Sequence, residues 1–175
     1  ISGERRGTRV RAFFGPPAQA TRQRSGVYLV VRRRVVGERS LSQIVSFRLA
    51  NEEYGVDIMR VQEIILMGPI TKMPEVPDFI CGLINLRGHV IPIVDLRKRF
   101  GLPITENNEH TRIIVVNVAN KTIGVVVDAV NEVLRINDEQ IEPPPSSVAG
   151  IDQTYIKGLM KFGDKLLILL SIEDI

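Results

Sequence analysis

The chain has no tryptophan, a single cysteine (Cys81) and two histidines (His89, His110), and aromatic residues fill only 5% of its 175 positions. Each shortage excludes something. One cysteine forbids an intrachain disulfide and suits a reducing, cytoplasmic setting. One cysteine and two scattered histidines do not make a closed zinc site, and the acids lack EF-hand spacing, so no metal is expected. No G-x-S-x-G elbow or cysteine-protease signature surrounds a nucleophile, and both phosphate-cradling glycine motifs are missing, so no catalytic residue and no cofactor is expected. No run of about 18 apolar residues could span a bilayer. The longest oily stretch near the N-terminus, GVYLVV (residues 26–31), is too short and runs into Arg32, Arg33 and Arg34, which argues against a signal peptide. What remains is a binding module rather than an enzyme.

Charge divides the chain in two. Residues 1–42 hold ten arginines, no lysine and two glutamates, Glu4 and Glu38, a net of +8. Because the whole chain totals +3, residues 43–175 carry −5, with seven arginines and six lysines. This places a boundary between an Arg-rich extension (1–42) and the remainder (43–175). The extension reads either as an electrostatic tether to nucleic acid or anionic lipid, or as a disordered leader foreign to the domain. Its Gly15-Pro16-Pro17 and poor periodicity give no nucleic-acid module.

Hydrophobic residues make up 44%, mostly Val, Ile and Leu, a composition of strands. QIVSFRLA (43–50) alternates Ile44, Ser46, Arg48 against Val45, Phe47, Leu49, a half-buried strand that turns at residues 51–53 into YGVDI. VQEIILM continues until Gly68-Pro69 stops it, and PDFICG is expected to form a short helical turn. LINL and VIPIVDL flank Arg87-Gly88, with Pro92 arguing for an edge or bulged strand. Asp95 can cap the turn LRKRF, which Gly101 ends. A hairpin about Asn120-Lys121, a loop over IEPPPSSVAG and a last hairpin about Gly163-Asp164 follow. The fold class is therefore all-β, with barrels expected rather than one large open sheet.

The chain also echoes itself. GVDIMRVQEI from Gly55 aligns with GVVVDAVNEV from Gly124, and GLINLRG from Gly82 with GLMKFG from Gly158, each of the latter followed by an aliphatic strand. The offsets are 69 and 76 positions, a difference that a loop insertion would leave. Two echoes in the same order favour duplication, hence two similar small barrels.

Arg87 stands at the apex of an oily hairpin. It is either a solvated turn residue or, ringed by exposed Val, Ile and Leu, an anchor for carboxylates or carbonyls of another protein.

GLINLRGHVIPIVDLRKRFGL, with YGVDIMRVQEI upstream and GVVVDAVNEVL downstream, resembles the CheW family of bacterial chemotaxis adaptors over about residues 43–175. The resemblance implies two intertwined five-stranded SH3-like barrels with short helical turns. It implies a non-enzymatic cytoplasmic scaffold coupling chemoreceptor cytoplasmic tips to the regulatory domain of the histidine kinase CheA, reaching the membrane through its partners. Carried over by residue, receptor binding would fall on Val61, Glu63, Gly82 and Arg87, and kinase binding on Ile58 and Ile64. For Ile58 and Ile64 core packing is the alternative, and for Glu63 a solvated strand position. The extension is foreign to the family pattern, and relatives often continue beyond the equivalent of Ile175 into a helix. Two other functions stay open: the CheW-like regulatory domain of a larger signalling protein, and a nucleic-acid binder using the Arg-rich arm. The missing glycine box for ATP favours the free-standing adaptor.

Overall fold

A computed structural model describes Leu29–Val30 and residues 41–175. Most of the Arg-rich extension, and with it the tether and leader readings, lies outside the described residues.

The strands in chain order are β1 (Leu29–Val30), β2 (Leu41–Leu49), β3 (Glu52–Asp57), β4 (Val61–Leu66), β5 (Ile80–Leu86), β6 (His89–Asp95), β7 (Arg112–Val118), β8 (Lys121–Val127), β9 (Ala129–Asn137), β10 (Ser147–Val148), β11 (Ile151–Asp152), β12 (Ile156–Phe162) and β13 (Lys165–Leu170). The helix α1 (Leu96–Arg99) is a single turn, capped by the Asp95 carboxylate, which accepts from the Arg97 and Lys98 amides. The first sheet runs β1-β4-β7-β8-β6-β5 and the second β12-β13-β3-β2-β9, with β10 and β11 as a separate ribbon. The hairpin β2–β3 opens the domain yet belongs to the sheet built from its last strands, so the two halves are intertwined. Leaving out β1, each sheet has five strands, compatible with the SH3-like form expected.

The repeat is a property of the fold. In the first sheet β6 runs parallel to β8 with Ile93 beside Gly124; in the second β13 runs parallel to β3 with Leu169 beside Gly55. Both β5 and β12 shift register at their second pairs, between Ile80 and Gly82 and between Ile156 and Gly158. Each bulge receives an incoming backbone bridge, Thr71 with Leu83 and Glu142 with Leu159. This close approach is why glycine occupies both positions: a Cβ at Gly82 would stand 2.2 Å from the Thr71 carbonyl oxygen, and one at Gly158 2.9 Å from that of Glu142.

Three apolar clusters follow. One lies within the first sheet (Ile65, Ile91, Ile93, Ile113, Val115, Val126) and one within the second (Ile44, Leu134, Ile136, Met160, Leu167, Leu169). The third is shared between them and contains Phe47, Tyr54, Val61, Ile64, Leu96 and Ile168 among others. The scarce aromatics concentrate there. Phe47, Tyr54, Phe100 and Tyr155 follow one another at centroid separations of 5.9, 6.4 and 5.3 Å, joining the two sheets. Burial raises the Tyr54 phenol to about 12, with Glu52 adding to the shift.

Several local expectations need correction. β2 is buried on both faces from Ile44 to Phe47, because Val45 and Phe47 enter the shared cluster while Ile44 enters that of the second sheet. PDFICG is a turn at Asp78-Phe79 followed by strand, not a helical turn. Pro92 is not on an edge strand, since β6 lies between β5 and β8. It is tolerated because pairing with β8 begins only at Ile93, so no ladder donor is needed at Pro92, and the bulge lies opposite, on β5. The β7–β8 turn is Ala119-Asn120, both with positive φ (44° and 66°), one residue earlier than expected. The loop over residues 141–150 contains β10 and leads directly to β11.

Candidate interaction site

The β5–β6 hairpin closes through a two-residue turn with positive φ at Arg87 (49°) and Gly88 (83°), and the Asn85 side chain accepts from the Gly88 amide at 2.9 Å. The turn sends Arg87 back across the sheet edge to Glu63 on β4. Arg87 Nη1 donates to Glu63 Oε2 at 3.1 Å, and Nη2 donates to Oε1, a two-pronged fork-to-carboxylate contact between residues 24 apart in sequence. The pair is lopsided: the Arg87 side chain is 62% exposed, the Glu63 side chain 2%. A buried carboxylate needs such a partner, because leaving water unpaired is expensive. Arg87 is thus neither a free turn residue nor a purely outward anchor; its cation is held in place from beneath.

Glu63 owes its inward position to a register shift on β4 between Val61 and Glu63. Around the fork, Gln62, Leu86, Arg87, His89, Val90 and Thr122 line a groove of about 500 Å³. Val90 is 63% exposed and Leu66, further along β4, 39%. An ordered cation beside an exposed apolar side chain, Val90, suits protein recognition.

The remaining expected residues are placed as follows. Val61 is buried in the shared cluster, and Gly82 is buried at the β5 bulge beneath Thr71. Ile64 is also buried in the shared cluster, so β4 offers backbone there rather than the apolar side chain. Ile58, half-buried in the 3-10 turn Ile58–Arg60, packs against the same cluster beside the exposed Met59. The structure therefore brings Glu63 and Arg87 together, buries Val61, Gly82 and Ile64, and leaves Ile58 at the end of β3. Gln62, Leu66, His89, Val90 and Thr122 were not singled out in the sequence. Alternation along QEIIL and HVI is the signal that could have found those on β4 and β6; Thr122, on β8, has none.

Elsewhere the chemistry is quiet. Burial, with Asp95 nearby, pushes the Cys81 thiol up, away from the reactive thiolate. Among the described residues no group of three or more His, Cys, Asp or Glu side chains is placed to hold a metal. No described helix is long and apolar enough to cross a membrane.

Comparison with known proteins agrees with this geometry. The family model described as "CheW-like domain" matches residues 43–175. A chemotaxis protein CheW of Klebsiella aerogenes is 40% identical over 142 residues, covering 81% of this chain and 86% of that protein. A chemotaxis protein CheW of Bacillus subtilis is 34% identical over 133 residues, covering 76% and 85%. The crystal structure of the scaffolding protein TtCheW from Thermoanaerobacter tengcongensis superposes with a TM-score of 0.73 at 42% identity, covering 81% of this chain and 91% of that one. With the family model spanning both sheets and their duplicated strand order, the chain belongs to the CheW-like family.

Proposed function

We propose that the chain is a non-enzymatic adaptor that couples the cytoplasmic tips of chemoreceptors to the regulatory domain of the histidine kinase CheA. The observation that carries this reading is the Arg87–Glu63 fork, an exposed cation fixed by a buried carboxylate in a groove shared with exposed Val90. A cation anchored in this way is held in one orientation, so less freedom is lost when a partner binds. Receptor binding is assigned to the face around Arg87, with Glu63 holding it and Val61 and Gly82 supporting the strands. Kinase binding is assigned to the end of β3 and the beginning of β4, where Ile58 and Met59 offer apolar surface and Ile64 braces the strand from inside. Signalling would then pass through placement: holding receptor and kinase in a fixed relation lets a receptor shift bias the kinase between conformers.

The test is co-precipitation of the full chain with a receptor-tip fragment and with the kinase regulatory domain, repeated with Val90→Glu and Arg87→Ala. Val90 is exposed, so its substitution spares the core. Selective loss of receptor binding in both variants is expected. Unchanged receptor binding by a folded Val90→Glu protein would remove the site assignment, and binding of neither partner by the wild type would remove the function.

A further inference from the structure

The duplication supplies a controlled comparison of two edge strands. β4 and β9 occupy matching places, each paired on one side to the first strand of a hairpin (β7 and β2) and each bulged at the same point, after Val61 and Val130. Their outer edges differ in chemistry. β9 exposes Asn131, Glu132, Val133 and Arg135, and the charges of Glu132 and Arg135 are of the kind that discourage a further strand from pairing. β4 exposes Gln62 and Leu66 but no charge, because its one acidic residue, Glu63, is turned inward to Arg87. The edge of β4 is accordingly the one whose own exposed side chains set no charge against an incoming strand.

A strand is present on it. Leu29 and Val30 pair antiparallel with Ile64 and Glu63, whereas β9 pairs, among the described residues, with β2 alone. The segment comes from GVYLVV, a markedly apolar run in an otherwise arginine-rich extension that the adaptor reading leaves unused. Its β-branched and aromatic residues suit a strand.

We infer that the outer edge of β4 is a strand-acceptor site and that the chain covers it in cis with its own segment around Leu29–Val30. The cover lies against the backbone of Glu63, the residue that fixes Arg87. It therefore deepens the adaptor reading, on which its consequence for receptor binding rests: β1 would act as a removable cover over the side of the receptor-facing site. Two paired residues make a weak cover, and release needs no unfolding of either sheet.

The full chain carrying Leu29→Pro together with Val30→Pro tests this, since proline removes the ladder donor whichever of the two supplies it. Successive strand amides face opposite sides, so one of the Glu63 and Ile64 amides faces β1 and the other β7. Amide exchange at the outward one is expected to speed up at least tenfold in the variant, with exchange at β7 and β8 unchanged. A labelled peptide of residues 25–34 added in trans should bind the variant at least tenfold more tightly than the wild type, whose tethered copy competes at high effective concentration. Equal exchange in the two proteins would overturn the cover. So would wild-type protection that falls on dilution, which would make the pairing intermolecular. Faster exchange without peptide binding would overturn the acceptor site. The receptor-tip fragment should bind the variant several-fold more tightly; equal binding would overturn the covering of the receptor site. Binding of that fragment to neither protein would count against the adaptor reading alone, because exchange and peptide binding decide the strand cover without it.

Discussion

Within residues 41–175 the chain crosses between its two sheets at two equivalent places, and the two crossings are tied by ion pairs of opposite polarity. Between β8 and β9 the acid is on the crossing and the base on α1: Asp128 pairs with Arg97. Between β3 and β4 the base is on the crossing, where Arg60 pairs with Glu173 of the 3-10 turn Ile172–Asp174. The offsets of the repeat match Arg97 to Glu173 and put Asp128 beside the counterpart of Arg60. Position has been kept while charge has been exchanged. Burial has diverged as well, with side-chain exposures of 13% and 19% for Arg97 and Asp128 against 47% and 44% for Arg60 and Glu173. Asp128 also accepts from the amide of Ala50, a left-handed turn residue (φ 56°) in the second sheet's hairpin, at 2.8 Å. One tie is thus a junction of three segments and the other a surface contact. The duplicated sites likewise diverge: Glu132 is exposed where Glu63 is buried, and Gly163 stands where the first sheet has Arg87.

The largest effect that would probe this comparison comes from the bulge glycines. Gly82→Ala puts a Cβ into the Thr71 backbone at φ 144°, so a loss above about 4 kcal/mol, or no folding, is expected. Gly158→Ala meets the Ile141 side chain and, less closely, the Glu142 carbonyl at 2.9 Å, without the positive φ of Gly82, so urea melts should show a smaller loss of about 2 kcal/mol. Equal losses would mean the two bulges are the same device after all. Asp128→Ala should come next. It strips a mostly buried Arg97 of its carboxylate and the Ala50 amide of its acceptor, for a cost of about 3 kcal/mol.

Alkaline pH should weaken the second sheet by a route the first lacks. Tyr54 is raised from 10.0 to about 12, and the repeat places Ile123 in the corresponding position. Below pH 10 the phenol is neutral in both folded and unfolded chains. Above it the unfolded chain ionises first, so stability falls as pH rises towards 12, by up to about 1.4 kcal/mol per pH unit. Tyr54→Phe should flatten that part of the stability–pH curve, and it also removes a buried hydroxyl without a partner. An unchanged slope would assign the alkaline loss to other groups. Arg87→Ala should cost about 2 kcal/mol by leaving the Glu63 carboxylate unpaired; its removal also opens a path to water, which keeps the loss below that of Asp128→Ala. Glu132→Ala, at the matching place on β9, should lie within about 0.5 kcal/mol of wild type.

The sequence made legible what depends on near neighbours. Alternation and turn residues located most strands, and the glycines at 55, 82, 124 and 158 revealed the duplication because each marks a packing point rather than a surface preference. It did not reveal that β2–β3 joins the strands of the C-terminal half, since both sheets present the same aliphatic edges and only long-range packing chooses between them. Pro92 misled for the same reason: a proline reports one missing donor but not where a neighbouring strand begins to pair. At the candidate site Arg87 stood out, but its pairing with Glu63 depends on a bulge that no local pattern in VQEIIL announces.

The small effect expected at the exposed crossing is the most informative about the crossings. Glu173→Ala should cost less than about 1 kcal/mol, because Arg60 and Glu173 are both half exposed and water replaces the lost partner. A large loss would show that the exposed tie also holds the sheets together and that burial is not what separates the two. The polarity exchange can be tested at each crossing by swapping charges. Arg60→Glu with Glu173→Arg should recover most of what either single change loses, since an exposed pair has no fixed surroundings to satisfy. Arg97→Asp with Asp128→Arg should not recover, because the Ala50 amide would then face a cation instead of its acceptor. Recovery at the first crossing and none at the second would show that charge was free to reverse during divergence only where no backbone donor depended on it.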